Sequence, residues 1–244
     1  MKIFADFHTH TIYSHGKGTI QQNVSAAIKK GLKEIAITDH GYGHLLYGVK
    51  KSNIEKMRKE IEEINKSTDK IKVKLGLEAN IVSVDGKLDI DEEVIRNLDI
   101  VLAGYHFGAL PKNVLQGAMI HGTNFLARYF PTVDKKARVV NTKAVVNAIY
   151  KNKIDILTHP GAKANIDTRE VAKAAAERGT ILEINSSHGY LTVEYIKIAM
   201  KEGAKFVINS DAHRPEDVGN VQAGIQRALE AGLSVDQIIN AEES

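Results

Sequence analysis

Histidine is where this sequence concentrates its chemistry: ten occur in 244 residues, and there is no cysteine. Without thiols there is no disulfide, no thiolate nucleophile and no thiolate zinc site, so any metal must be held by His, Asp and Glu. Two pairs share a two-residue spacing, His8-Thr9-His10 and Asp211-Ala212-His213. On an extended chain, residues two apart face the same side, so both members of a pair can reach one ion. One such pair alone says little, because ten histidines make a single His-x-His close to an even chance.

The wider pattern says more. Seven histidines (His8, His10, His15, His40, His106, His159 and His213) lie at or just after the C-terminal ends of short apolar runs, and Glu78 and Asp211 share that placement. A lone histidine there would ordinarily be a core or surface side chain with one hydrogen bond. Seven together require a reason for apolar runs to end repeatedly in groups that are costly to bury unless paired or metal-bound. Imidazole and carboxylate ligands without thiolate suit zinc, manganese or ferrous iron. At three or four protein ligands per catalytic site, these nine residues imply two to three divalent metal ions, with a carboxylate such as Glu78 bridging. Asp6 and Asp39 are read as supporting acceptors that orient a ligand imidazole or cap a turn. His44, His121 and His188 lack the strand-end placement. His44 and His188 lie on loops after strand ends and are candidates for substrate contact. So is Arg214, next to His213, for which a surface ion pair is the equal alternative.

These positions must be gathered by the elements that precede them. Apolar runs predict strands at 2–7, 34–38, 73–78, 100–105, 155–158, 181–185 and 206–209. Helical spacing predicts helices at 20–30, 52–66, 91–97, 114–130, 142–151, 168–178, 192–202 and 220–231. Thr19-x-x-Gln22, Ser52-x-x-Glu55 and Ser234-x-x-Gln237 read as capping boxes, and Gly31, Gly179, Gly203 and Gly232 stand where helices should stop. Alternation of strand and helix predicts a parallel sheet with helical crossovers. Seven strands without a glycine-rich phosphate loop favour a barrel over a doubly wound sheet: Gly41-Tyr42-Gly43 has Leu46 where a third glycine would be needed. In a parallel barrel the C-terminal strand ends converge on one face, where such folds place their chemistry. The stretch 108–141 is the longest excursion from strand to helix. Its aromatic face (Phe125, Tyr129, Phe130) is read as core or as a contact between copies of the chain, which would make the protein a homo-oligomer.

Composition fits one domain spanning 1–244, since 43% hydrophobic and 26% charged residues are ordinary for a globular chain of this length. The net charge of +3, with Lys and Glu interspersed on helices, gives no basic stripe for nucleic acid. With no apolar run of eighteen and no leader-like start, the expectation is a cytoplasmic protein without a membrane partner.

In this order, the residues resemble the PHP superfamily, named for its polymerase and histidinol phosphatase members. Four blocks carry the resemblance: Asp6-Phe7-His8-Thr9-His10, Thr38-Asp39-His40, Thr158-His159-Pro160-Gly161 and Ser210-Asp211-Ala212-His213. It runs from Asp6 to Gly219 and points to the stand-alone, YcdX-like phosphoesterase branch. The resemblance implies a distorted TIM-like (β/α)7 barrel with a trinuclear site. Carried over, His8, His10, Glu78 and Asp211 would hold one metal, His15, His40 and His213 a second, and Glu78, His106 and His159 a third. Glu78, Asp211 and His213 would form the catalytic centre. The implied activity is hydrolysis of small phosphate monoesters, with a hydroxide between two metals as nucleophile. Its alternatives are a metal-dependent 3′-5′ exonuclease acting on nucleic-acid ends and a non-catalytic, polymerase-associated module.

Overall fold

The computed structural model describes residues 1–243. After a two-residue strand β1 (Lys2–Ile3), seven strands run parallel in sequence order: β2 (Ala5–Asp6), β3 (Glu34–Ile37), β4 (Lys72–Asn80), β5 (Ile100–Gly104), β6 (Ile156–Leu157), β7 (Ile181–Asn185) and β8 (Phe206–Asn209). Helices cross over between them: α1 (Ile20–Lys29), α2 (Lys51–Ser67), α3 (Glu92–Arg96), α4 (Val114–Gly117), α5 (Thr123–Ala127), α6 (Pro131–Lys151), α7 (Thr168–Arg178), α8 (Val193–Lys201) and α9 (Gln222–Ala231). The result is a nearly closed seven-stranded barrel, as expected. Among the described residues, no helix is long and apolar enough to cross a membrane.

Apolar side chains form two shells. Ala5, Phe7, Ala36, Ile100, Leu102, Ile156 and Val207 plug the barrel, while a larger layer including Ile35, Ile37, Leu75, Leu77, Ile184 and Ile208 packs outward against the helices. Strands buried on both faces read as continuous apolar runs, which is why they stand out in the sequence. The barrel closes at one spot. Thr9 and Ala212 bridge in parallel, with the His10 N–H donating to Ala212 O at 2.8 Å and the Ala212 N–H to His8 O at 3.2 Å. That seam lays the two pairs His8/His10 and Asp211/His213 side by side.

Three local expectations are corrected. The strand expected at 2–7 is split at Phe4, because Lys2 and Ile3 pair antiparallel with a last strand, β9 (Ala241–Glu242). The buried Asn240 side chain then bonds to Ala5 O and to Ile208. The helix at 114–130 is interrupted by a π-turn at Ala118–Gly122, and Phe125, Tyr129 and Phe130 stand exposed instead of in the core. Ser52 caps nothing: the helix starts one residue earlier and Lys50 gives no side-chain cap. The boxes at Thr19/Gln22 and Ser234/Gln237 form as read, and Gly31, Gly179, Gly203 and Gly232 all have positive φ.

Candidate metal centre

Five other strand ends, those of β2, β3, β5, β6 and β8, deliver side chains to one spot around Glu78, a buried carboxylate on β4. His159 Nε2 lies 3.0 Å and His106 Nε2 3.2 Å from Glu78 Oε1, with His8 Nε2 at 3.4 Å. On the other oxygen, His40 Nδ1 lies at 3.0 Å and His10 Nε2 at 3.6 Å. Asp211 Oδ1 approaches His10 Nε2 at 3.3 Å and His8 Nε2 at 3.5 Å. His15 and His213 complete the set from the loops after β2 and β8. The His15 ring centroid lies 4.2 Å from that of His213 and 4.8 Å from that of His40. All nine expected ligands are thus brought together. Donor atoms of eight of them, all but His159, group within 4.8 Å as His8/His10/Asp211, as His10/His15/His40/His213 and as His40/Glu78/His106.

Protein atoms alone do not satisfy this cluster. Among the described residues, Nδ1 of His10, His15 and His40 and Oε2 of Glu78 are buried without a hydrogen-bond partner. Each such group costs about 1–3 kcal/mol. His8 Nε2 and His10 Nε2 face each other at 3.1 Å, and His106 Nε2 and His159 Nε2 at 3.2 Å. Two imidazole lone pairs cannot meet so closely without a proton or a cation between them. A donor set of nitrogen and carboxylate oxygen with orphaned buried atoms fits bound divalent metal.

The charge balance agrees. Burial would raise the carboxyl of Glu78, but His106, His8 and His40 hold it well below the usual range. Burial works the same way on Asp211, and His8 and His10 overcome it, keeping the group ionised. Burial, with His213 and His40 adding to it, pushes His15 down to about 3. Burial takes His106 down to about 4 even against Glu78. These two imidazoles are therefore neutral at ordinary pH, the form that ligates metal. His8 differs: Glu183, Asp211 and Glu78 outweigh burial and raise it well above the ordinary value.

Ring orientation is fixed from behind. His8 Nδ1–H donates to Glu183 at 2.8 Å, His106 Nδ1–H to Asn80 Oδ1 at 2.7 Å, and His213 Nδ1–H to Asp211 O at 2.9 Å. Each bond turns the Nε2 edge of its ring toward the centre. Asn80 is itself oriented by Asp89. Gly104 makes room, since a Cβ there would lie 3.1 Å from His159 Cε1 and would collide with Thr158 Oγ1. His159 and Asp211 both have positive φ, 27° and 56°, a strain that persists where a site over-determines the backbone.

Comparison with known proteins decides the family. Residues 6–187 match the family model described as the PHP domain. The chain belongs to the PHP domain family. A relative described as a probable phosphatase, from Thermoanaerobacter sp. (strain X514), is 33% identical over 99% of this chain and 92% of its own length. Another so described, from Proteus mirabilis, is 31% identical over 96% and 89%. Among solved structures, histidinol phosphate phosphatase from Lactococcus lactis, complexed with zinc, L-histidinol and phosphate, superposes with a TM-score of 0.66 at 17% identity, covering 94% of each chain. That likeness is one of fold.

Within this PHP barrel, the sequence reading missed Glu183. It is fully buried on β7, accepts from His8 Nδ1, and receives the His159 amide at 2.8 Å and the Asn185 and Asn209 side-chain amides at 2.9 Å. Its signal was available: a charged residue in the middle of the apolar run Ile181-Leu182-Glu183-Ile184. Of the two roles read for Asp6 and Asp39, orienting an imidazole or capping a turn, the second fits their bonds, and the His8 imidazole is oriented by Glu183. Asp6 accepts from the amides of His8, Ser210 and Gly219, and Asp39 from Thr11 and Ser14, so both brace loops. His44 and His188 line the cavity of about 380 Å³ that opens over the centre. Arg214 does not line it; its guanidinium is bound by Asp217 at 2.7 and 3.2 Å, the surface ion pair.

Proposed function

We propose that this PHP chain is a metal-dependent phosphatase of small phosphate monoesters. Two to three divalent ions, of zinc, manganese or iron, would be held by His8, His10, His15, His40, Glu78, His106, His159, Asp211 and His213. The observation that carries the reading is the convergence of five imidazoles within 3.6 Å of the two oxygens of Glu78, with buried donor atoms left over. Bound there, the metal would supply an acidified water and neutralise charge on the phosphoryl oxygens.

The chain's own residues do the rest. Glu78, Asp211 and His213 form the catalytic centre, with Glu78 reaching both halves of the cluster. Glu183 and Asn80 keep His8 and His106 presented through Nε2. His44 and His188 stand at the cavity wall, where the ester's alcohol portion would pass. His188 Nε2 lies 3.5 Å from Asp211 Oδ2. The cavity lining includes one lysine, Lys163, and no arginine, which suits a small ester better than a nucleic-acid backbone. One domain over 1–244 and a cytoplasmic location belong to the same proposal.

The test is phosphate release from a panel of metabolite monoesters and p-nitrophenyl phosphate, with metal content measured on the same preparation. Hydrolysis of monoesters that stops on chelation is expected. Activity surviving exhaustive chelation, or cleavage of single-stranded DNA alone, would overturn the proposal.

A further inference from the structure

The excursion after β5 and the turn after His159 leave a second hollow beside the metal cavity. It measures about 440 Å³ and includes Arg128, Lys163, Tyr190 and Tyr195 in its walls. Lys163 lines both hollows, so they meet at its side chain. On the excursion side, the Arg128 guanidinium carbon lies 5.5 Å from the ring centre of Phe107, which lines the metal cavity.

Among the described residues, neither the Lys163 nor the Arg128 side chain forms a hydrogen bond or an ion pair. Asp134, the carboxylate in the same hollow, is engaged by Asn165 at 2.9 Å and not by either cation. Lys163 also has φ of 59°, a left-handed conformation that L residues rarely adopt. A lysine kept in a strained turn at the junction of two cavities points to a use for its charge. Elsewhere the centre is built from imidazoles and carboxylates, so an anion beyond the reacting phosphate would find these two cations, with Tyr190 and Tyr195 in the same walls.

We propose that this groove is the leaving-group subsite, and that it selects phosphate esters whose alcohol portion carries a second anionic group. Lys163 would meet that anion beside the centre and Arg128 would meet it from the excursion. The proposal rests on the phosphatase reading and adds the substrate class.

The experiment uses the metal-loaded protein and three matched esters: 4-methylphenyl phosphate, 4-(carboxymethyl)phenyl phosphate and 4-(phosphonomethyl)phenyl phosphate. The anionic esters should have kcat/KM about tenfold above the neutral one, the size of one charge-assisted contact. Lys163→Gln and Arg128→Gln should each bring that ratio back toward one, with the change in KM. The carboxylate and phosphonate arms tell which anion the groove prefers. Equal kcat/KM for all three esters in the unmodified protein, or variants that lose all three alike, would overturn the proposal. If the metal-loaded protein hydrolysed none of them, the phosphatase reading would fall. Nuclear magnetic resonance titration with 4-hydroxyphenylacetate against p-cresol would then decide the groove by itself. Binding that needs the carboxylate and is lost in both variants supports the subsite, and its absence rules the subsite out.

Discussion

The strand-end face and the 108–141 excursion sit against the same cavity but are held in different ways. On the face, Glu183 alone takes hydrogen bonds from His8, His159, Asn185 and Asn209, and every proposed ligand except His15 and His213 is buried. The excursion is held by bonds scattered along it: its backbone pairs with Gly43, Leu45 and Val82, and Gln116 accepts from the Val84 amide. His121 links Tyr105 OH at 2.9 Å to Ala109 O at 2.8 Å, and Asn124 pairs with Asn141. Meanwhile Val114, Leu115, Tyr129 and Phe130 stand exposed. Donor atoms that must be held within tenths of an ångström sit on cross-braced strand ends, and the excursion contributes Arg128 to the proposed selecting groove. Disturbing the first region should cost metal and turnover together, and disturbing the second should cost neither.

Chelation tests the face as a whole and should have the largest effect. Ions bound only by the native fold stabilise it by about 4 kcal/mol when free metal is near a thousand times Kd. At roughly 2–4 °C per kcal/mol for a chain of this size, removing metal should lower Tm by about 10 °C and abolish turnover, with readdition restoring both. An unchanged melting curve would mean the cluster does not hold metal tightly. Next comes Glu78→Gln, nearly isosteric but uncharged between five imidazoles. Turnover should fall on the order of 10³-fold, with metal lost by elemental analysis and circular dichroism preserved. A variant with full metal and near-normal rate would take Glu78 out of the centre. Glu183→Gln should act at one remove, weakening metal affinity by about 10- to 100-fold because His8 loses the charged acceptor that fixes its tautomer. Normal affinity in a metal titration would leave Glu183 a purely structural residue.

The barrel and the gathering of histidines and carboxylates at its strand ends were legible in the sequence for a common physical reason. Strands buried on both faces are continuous apolar runs, and a histidine or carboxylate at the end of each is conspicuous against them. What was not legible depends on partners far apart in the chain. The split of the first strand at Phe4 follows from pairing with Ala241–Glu242, which no local pattern announces. Glu183 looked like a residue of β7, and only its neighbours on β2 and β6 show what it holds. The π-turn at Ala118–Gly122 interrupts a helix whose spacing alone is regular, and it carries His121, whose partners Tyr105 and Ala109 no local pattern announces.

That turn gives the smallest and sharpest test of the comparison. His121→Phe keeps a ring against Tyr105 and Phe107 but strands the Tyr105 hydroxyl and the Ala109 carbonyl. His121 is half-buried, so water can reach part of the vacated space, and the loss should be about 1–2 kcal/mol, or roughly 2–8 °C in Tm. Tyr105 is adjacent to His106 in the chain, yet His106 is fixed by Asn80 and packs against His159, not through the tyrosine hydroxyl. Metal content should therefore stay at its original stoichiometry, and local opening should appear as faster amide exchange confined to the excursion. Metal lost in step with the melting temperature would show that excursion and strand ends form one cooperative unit, and the separation between a cross-braced chemical face and a separately held excursion would fail.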